Sequence, residues 1–402
     1  MNSPLCHAHY DVVIIGGAMM GASVAWFLRD TKDFQGRVLV IEKDLSYAKA
    51  AISLTNSCIR QQFSAAINVR ISQFAADFMK NLRDYMGGDA RVPDLSIQNY
   101  GYMYLADTPA LAATLRAAHS VQRAAGAATV LMTPDDIRQH YPFYNVDDIL
   151  LGSINRQDEG YWDYAAVFDG WRRSAKARGV ETIADEVVAM TLNKSATRVE
   201  SVTLKSGAVI ACGFVVNASG TRGAVTARMA GLDIPIEPRK RFTYIFAAAQ
   251  PLAAELPLTI DPSGVHFRQD GRQTYLAGAH AEHDPAVDFD DFSMDQNLWE
   301  EKVWPVIAAR IPQFEAIKVT HEWAGHYDMN IFDHNAILGP HPRVTNFMFL
   351  NGFSGHGLQQ APAMGRAMAE LITYGEFRTL DLSPFSYARI ARGEPFEEKA
   401  II

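Results

Sequence analysis

The chain has 402 residues, 48% of them hydrophobic and 20% charged, values of a globular protein with room for two or three domains. Its net charge of −8 speaks against a general nucleic-acid binder, which needs a basic face, and no apolar run approaches the roughly 20 residues that cross a bilayer. Cys6, Cys58 and Cys212 are odd in number and far apart. That predicts reduced thiols in a cytoplasmic protein rather than a disulfide framework.

In chain order, residues 1–9 read as a short leader, lacking the basic and apolar regions of a signal peptide. Residues 12–15 are a β-branched run of the kind buried on both faces of a parallel sheet. Gly16, Gly17 and Gly21 follow at once, residues 22–28 read as a helix, and residues 38–41 are a second buried strand ending at Glu42. This strand–turn–helix–strand unit, with a carboxylate about 20 residues beyond the glycines, is the dinucleotide-binding fingerprint. Gly16 serves the tight turn and Gly21 the close approach of helix to strand. The helix N-terminus offers free N–H groups to a pyrophosphate, and Glu42 suits ribose hydroxyls. Ala18 replaces the middle glycine of the pattern, so phosphates approach the backbone slightly less freely.

Residues 46–62 form a polar loop with Ser53, Thr55, Asn56, Ser57 and Arg60, leaving the sheet edge where doubly wound folds bind ligands. Residues 65–86 have helical spacing, with Ile67, Ile71, Phe74, Phe78 and Leu82 on one stripe. A strand at 100–105 and a helix at 109–125 follow, and Thr133 with Pro134 caps another helix. Beyond a helix at 164–178, strands are expected at 184–192, 199–204 and 214–217, the last returning to the first sheet. Residues 235–317 alternate short strands and turns, with a helix near 298–311, and predict an antiparallel sheet. Residues 238–241, Pro-Arg-Lys-Arg, read as a surface turn, and Glu397 with Glu398 as a solvated tail. Cys6, His7 and His9, like His280 and His283, have ligand-like spacing but no four-ligand set, so no metal site is expected.

The last quarter returns to the opening style. Residues 347–350 are a buried strand, followed by Gly352, Gly355, His356 and Gly357 and a helix to about 374, with Pro362 placed in its first turn. Gly357, Ala361, Gly365 and Ala369 form a ridge of small residues, suited equally to a sheet, a cofactor or plain helix packing. Two glycine-rich strand-to-helix turns, one toward each end, suggest one extended cofactor held at both ends.

The N-terminal turn, the Arg-Gln-Gln-Phe segment at 60–63, Asn217 to Gly220 and the glycine motif at 352–362 together resemble the FAD-dependent amine oxidoreductases of the D-amino-acid oxidase superfamily. That group includes sarcosine oxidase, dimethylglycine dehydrogenase and glycine oxidase. Residues 365–370, 380–385 and 393–402 look most similar to one branch, the mitochondrial FAD-dependent oxidoreductase domain-containing proteins linked to respiratory complex I assembly. The resemblance implies an α/β fold with a dinucleotide-binding, Rossmann-like FAD domain (1–90, 145–225 and 325–402). It is interleaved with a substrate domain built on an antiparallel sheet (91–144 and 226–324). Cofactor contacts are implied for Gly16, Gly17, Ala18, Gly21, Glu42, Lys43, Ser57, Val187, Ala218, Gly220 and Gly352, and for Gly355, His356, Gly357, Leu358 and Gln359. Residues 355–358 would lie at the pyrimidine edge of the flavin, where a helix dipole stabilises the negative charge of the reduced ring.

Catalytic roles are implied for Arg60, whose planar fork suits a carboxylate, and for His280, Tyr327 and His356. The implied reaction is oxidation of a secondary or N-methylated amino acid by hydride transfer to flavin, with hydrolysis of the imine. The other reading is an FAD-binding assembly or interaction protein of a respiratory complex, its flavin structural. Gly325 stands where some sarcosine-oxidising relatives attach the flavin to a cysteine, so FAD is expected to be non-covalent. Leu276 falls where those relatives place a lysine above the flavin, with Arg268 or His266 as candidate substitutes. A dehydrogenase using a quinone or electron-transfer protein as acceptor is therefore expected, with no nucleic-acid partner and no integral membrane segment.

Overall fold

The computed structural model describes residues 5–399; residues 1–4 of the expected leader and the Ile401-Ile402 ending lie outside them. His9 already belongs to the first strand, His9–Ile15. Val12, Val13 and Ile14 of that strand are fully buried because it runs parallel between Val38–Glu42 and Val209–Asn217. The first sheet continues outward through Glu181–Ala184 on one side and Phe347–Asn351 and Ile337–Pro340 on the other. The expected return to this sheet is observed, Val12 facing Phe214 and Ile15 facing Asn217. The single strand expected at 184–192 is two strands. Glu181–Ala184 pairs with Val38–Glu42, the Asp185 N–H closes onto the Glu42 carbonyl at 3.0 Å, and Val187–Leu192 turns away to pair with Val199–Leu204.

Helix Met19–Asp30 is apolar almost all round, with Val24, Trp26 and Leu28 fully buried, as befits a helix enclosed by others. It crosses helix Gly357–Tyr374 along the small-residue ridge. The Ser23 hydroxyl donates to the Ala361 carbonyl at 2.7 Å, and a Cβ on Gly365 would come within 2.0 Å of that hydroxyl. The ridge therefore serves helix packing. Pro362 lies in the second turn of this helix, not the first, because the helix begins at Gly357. Its ring removes the hydrogen bond that residue 362 would otherwise give Leu358.

The second sheet has the order Ile317–Asn330, Ile236–Ala248, Thr274–Ala279, His266–Gln269, Leu258–Ile260, Tyr102–Ala106, Leu151–Asn155, Val130–Met132. It is antiparallel except where Leu258–Ile260 runs parallel to Tyr102–Ala106. Two of its strands are 13 and 14 residues long, not short. Leu151–Asn155 lies beyond the boundary expected at 145, and Ile317–Asn330 runs across the one expected at 325. Residues 238–241 are no surface turn: they lie inside strand Ile236–Ala248, where Lys240 pairs with Asp291 at 2.8 Å and Arg241 with Asp284 at 2.7 Å. Among the described residues no helix is long and apolar enough to cross a membrane.

Glu398 is fully buried, which corrects the expectation of a solvated tail. Its carboxylate accepts the Ser64 N–H at 2.8 Å, the Ser64 hydroxyl at 2.6 Å and the Asn68 amide at 2.9 Å. It thereby places a negative charge at the start of helix Ala66–Lys80, whose own cap residue, Ala65, has no polar side chain. The buried Arg389–Asp333 pair at 2.6 Å, with the Phe396 N–H on Asp333 at 3.0 Å, holds the tail in place. Glu398→Ala should cost about 1.5–3 kcal/mol in denaturant unfolding, since it strands charge-assisted donors. Replacing the exposed neighbour, Glu397→Ala, should change stability by less than about 0.5 kcal/mol. Equal effects of the two substitutions would contradict the capping role.

Candidate functional site

A cavity of about 660 Å³ runs between the two sheets. At one end the first strand breaks into the glycine turn. Gly16 has φ of 97°, and a Cβ there would lie 2.4 Å from the Ala218 carbonyl oxygen. Gly21 has no space for a side chain either, since its Cβ would fall 1.9 Å from the Gly16 oxygen. Helix Met19–Asp30 starts at Ala18 with no side-chain cap, so its first N–H groups are left for the cavity. Glu42 accepts the Gly17 N–H at 2.8 Å and the Asp44 N–H at 2.9 Å, fixing the turn while lining the cavity. Gly16, Ala18, Glu42, Lys43, Ser57, Val187, Ala218 and Gly220 all face the cavity. Gly17 and Gly21 do not; they shape the turn from behind.

The other end is the second glycine turn. Gly355 has φ of 88°, and a Cβ there would strike the Tyr327 ring at 2.3 Å. Helix Gly357–Tyr374 again starts without a side-chain cap, at His356, and Gly355, His356, Gly357, Leu358 and Gln359 line the cavity. Gly352 faces away, against Ile236. Its N–H and that of Phe353 donate to Asp328 at 2.9 and 3.2 Å, and burial pushes the Asp328 carboxyl up to about 6.

Arg60 joins these ends to the polar loop. Its backbone N–H donates to Gln359 and its Nη2 to His356 Nε2, both at 2.9 Å, with the guanidinium 4.4 Å over the Phe63 ring. The donor on the arginine makes Nε2 an acceptor, which puts the His356 proton on Nδ1. Burial, and then the Arg60 charge, hold His356 well below its ordinary pKa, so the ring is neutral. Beneath this loop Glu159, fully buried, accepts the Gln61 N–H at 2.6 Å, the Asn155 amide at 2.9 Å and the Gln62 amide at 3.0 Å, and burial raises its carboxyl to about 8. Sequence reasoning passed over Glu159, because an acid beside a glycine reads as a turn.

The far wall is one face of the second sheet, with Arg241, Thr243, His266, Gly325 and Tyr327 turned to the cavity. Arg241 stands opposite Gly325, and Thr243 and His266 both stand opposite Gly278. His266 packs over Gly278 and shares a 2.9 Å hydrogen bond with the Asn56 amide. Burial, then Arg241 and Arg268, push its pKa down to about 3. His280 is not brought into the site; its Nδ1 bonds the Ala281 carbonyl at 2.8 Å, and His266 takes the wall position. Leu276 is buried off the cavity, opposite Arg268, and Arg268 is tied to Asp270 at 3.0 Å and to the Asn56 carbonyl at 3.0 Å. Sequence reasoning also missed Arg241, whose signal was hidden in the basic run. No group of three or more His, Cys, Asp or Glu among the described residues is arranged to hold a metal ion.

The DAO family, described as FAD dependent oxidoreductase, matches residues 11–371. FAD-dependent oxidoreductase domain-containing protein 1 of Bos taurus is 38% identical over 423 residues, covering 98% of this chain and 87% of that protein. Sarcosine oxidase subunit beta of Rhizobium meliloti (strain 1021) is 24% identical, covering 97% of this chain and 91% of that one. L-Proline dehydrogenase from P. horikoshii shares the fold with a TM-score of 0.81 at 24% identity, over 96% of this chain and 99% of that chain.

The residues present fit FAD. Two glycine turns with no room for a Cβ border one cavity, each at an uncapped helix N-terminus, with a ribose-competent carboxylate beside the first. Gly325, at the expected cysteine position, lines the cavity and carries no nucleophile. Acid precipitation should leave the yellow colour in solution; a yellow protein pellet would show covalent attachment. With a match spanning residues 11–371 and a relative alike over almost its whole length, the chain belongs to the DAO family of FAD-dependent oxidoreductases.

Proposed function

We propose that the chain oxidises the C–N bond of a secondary or N-methylated amino acid to an imine, which water hydrolyses, and that a quinone or electron-transfer protein takes the electrons. The observation that carries this reading is the pair of guanidinium groups, Arg60 and Arg241, facing the same cavity as the Gly355 turn and the Tyr327 ring. Bound FAD supplies the two-electron acceptor. Arg60 adds fixed positive charge for a carboxylate, and Tyr327, its pKa raised by burial, stays a neutral phenol. His266 and His356 are neutral as well. Such walls disfavour an ammonium ion and suit an amine that has already lost its proton. Relatives named sarcosine oxidase subunit beta and dimethylglycine dehydrogenase support the substrate class.

The reading of the acceptor is supported by charge. A fixed cation above the flavin speeds oxygen reduction because superoxide is negative. Neither Leu276, at the expected lysine position, nor Arg268 lines the cavity, His266 is uncharged, the Arg241 charge is balanced by Asp284, and Arg60 is turned onto His356. The free thiols of Cys6, Cys58 and Cys212 support a reducing, cytoplasmic location as part of the same proposal.

The test is anaerobic mixing of the holoenzyme with a panel of N-substituted amino acids, read as flavin bleaching. Reduction by at least one is expected; a flavin that none reduces favours the structural flavin of an assembly protein. On the substrate found, Arg60→Met should raise KM by about tenfold or more with normal FAD content. Air should reoxidise the reduced enzyme at least about tenfold more slowly than a quinone does. Oxygen reacting as fast as turnover would make it an oxidase.

A further inference from the structure

We propose that Arg241 is the carboxylate anchor of this cavity and Asp284 its displaceable counter-ion, carried on an unburied loop that releases it when an anionic substrate binds. The inference takes from the proposed function only the substrate class, an amino-acid carboxylate.

Arg241 projects from the middle of strand Ile236–Ala248, a fixed element, toward a position where its cross-strand neighbour Gly325 has no side chain. Its guanidinium lies 4.7 Å over the Tyr327 ring, and that ring abuts Gly355 at the second glycine turn. The cation is thus one ring away from the uncapped start of helix Gly357–Tyr374. A desolvated guanidinium needs an anion. Asp284 meets both terminal nitrogens, Nη1 at 2.7 Å and Nη2 at 3.0 Å. This is the two-pronged geometry that any carboxylate adopts on arginine, a substrate's included.

The two partners differ in how they are held. Arg241 is anchored by a strand that pairs on both sides. Asp284 sits in a stretch, residues 281–297, in which no residue is buried, and its own φ of 33° is uncommon for a residue with a side chain. The stretch is fastened by the Val287 N–H to the Pro238 carbonyl at 3.0 Å, by Arg239 donating to the Asp284 carbonyl, by His326 on the Asp291 carbonyl at 2.7 Å, by Lys240 on the Ser293 carbonyl at 3.1 Å, and by ion pairs. These are Asp290 with Arg222 at 3.2 Å and with Lys49 at 3.8 Å, and Asp291 with Lys240 at 2.8 Å. With no buried residue in the stretch, the loop rather than the strand paired on both sides is the part that yields. Phe289 and Phe292 on the same loop line the cavity, under Arg222 at 4.7 Å and Lys49 at 5.4 Å. Freeing Asp284 and uncovering the cavity are therefore one movement. Arg60 clasps His356 and is stacked on Phe63, so it adds positive charge to the cavity while Arg241 presents the fork.

The experiment titrates the FAD-loaded enzyme with benzoate, and with benzamide as the neutral control, reading the shift of the flavin spectrum. Asp284→Asn should tighten benzoate about tenfold and leave benzamide unchanged, because the internal competitor is gone. Arg241→Met should weaken benzoate about a hundredfold and Arg241→Lys about tenfold, since lysine keeps the charge and loses the fork. If Arg241→Met does not retain FAD, Asp284→Asn and Arg241→Lys decide. Benzoate binding that Asp284→Asn leaves unchanged or weakens overturns the proposal, as does a flavin spectrum that benzoate perturbs in neither wild type nor Asp284→Asn. The two readings fail separately. Amines that all leave the flavin oxidised while benzoate follows this pattern remove the amine reaction and keep the anchor; amines that reduce it without the Asp284→Asn effect do the reverse.

Discussion

The crossing of helices Met19–Asp30 and Gly357–Tyr374 is the contact on which the rest depends. The Ser23 hydroxyl reaches the Ala361 carbonyl, and Gly365 lies so close to Ser23 that no Cβ fits between them. Each helix begins at one of the glycine turns, so the crossing fixes the distance between the two ends of the cavity. A bulkier residue at either position would spread the heads of the helices and change the length of ligand that spans them. Close packing leaves such a joint little slack.

The same arrangement settles the charge inside. Two uncapped helix starts give the cavity a bias toward anions, which suits a pyrophosphate and a flavin that gains negative charge on reduction. Several of the titratable groups lining it are kept neutral or paired. His266 and His356 are kept neutral by burial, Asp328 has its carboxyl raised by burial, and Arg241 carries its own counter-ion. What remains is a pocket whose selectivity rests on a few paired groups.

Much of this was legible in the residues, and the reason is range. Turns, caps and buried strands are local, so the glycine fingerprint, the Thr133 cap and the strand at 347 could be read from a few neighbours. Contacts across hundreds of residues leave no such trace. Glu398 looks like half of an acidic pair until Ser64 and Asn68 are seen to converge on it. Arg241 looks like one of a basic run until strand alternation turns it inward, away from Lys240 and its partner Asp291. His280 failed for a related reason. His280 lies just past the end of its strand and is turned off the cavity, whereas His266 reaches the cavity from the neighbouring strand, over Gly278. The strand expected at 184–192 was split by a polar pair, Asp185 and Glu186, that alternation alone passes over.

The helix crossing also has a meaning in time. The first glycine turn leaves the ribosome long before the helix that must lie across it, which ends only at Tyr374. At about 5–20 residues per second, the roughly 350 residues in between take roughly 20–70 s to make. Throughout that interval the apolar face of Met19–Asp30 has no Ala361 or Gly365 to cover it, and the central strand His9–Ile15 lacks its parallel neighbour Val209–Asn217 until about halfway. Flavin cannot be clasped at both ends before the second glycine turn has been made. The nascent chain spends that interval as an open half-sheet, so capture of the cofactor waits for it to end and competes with aggregation.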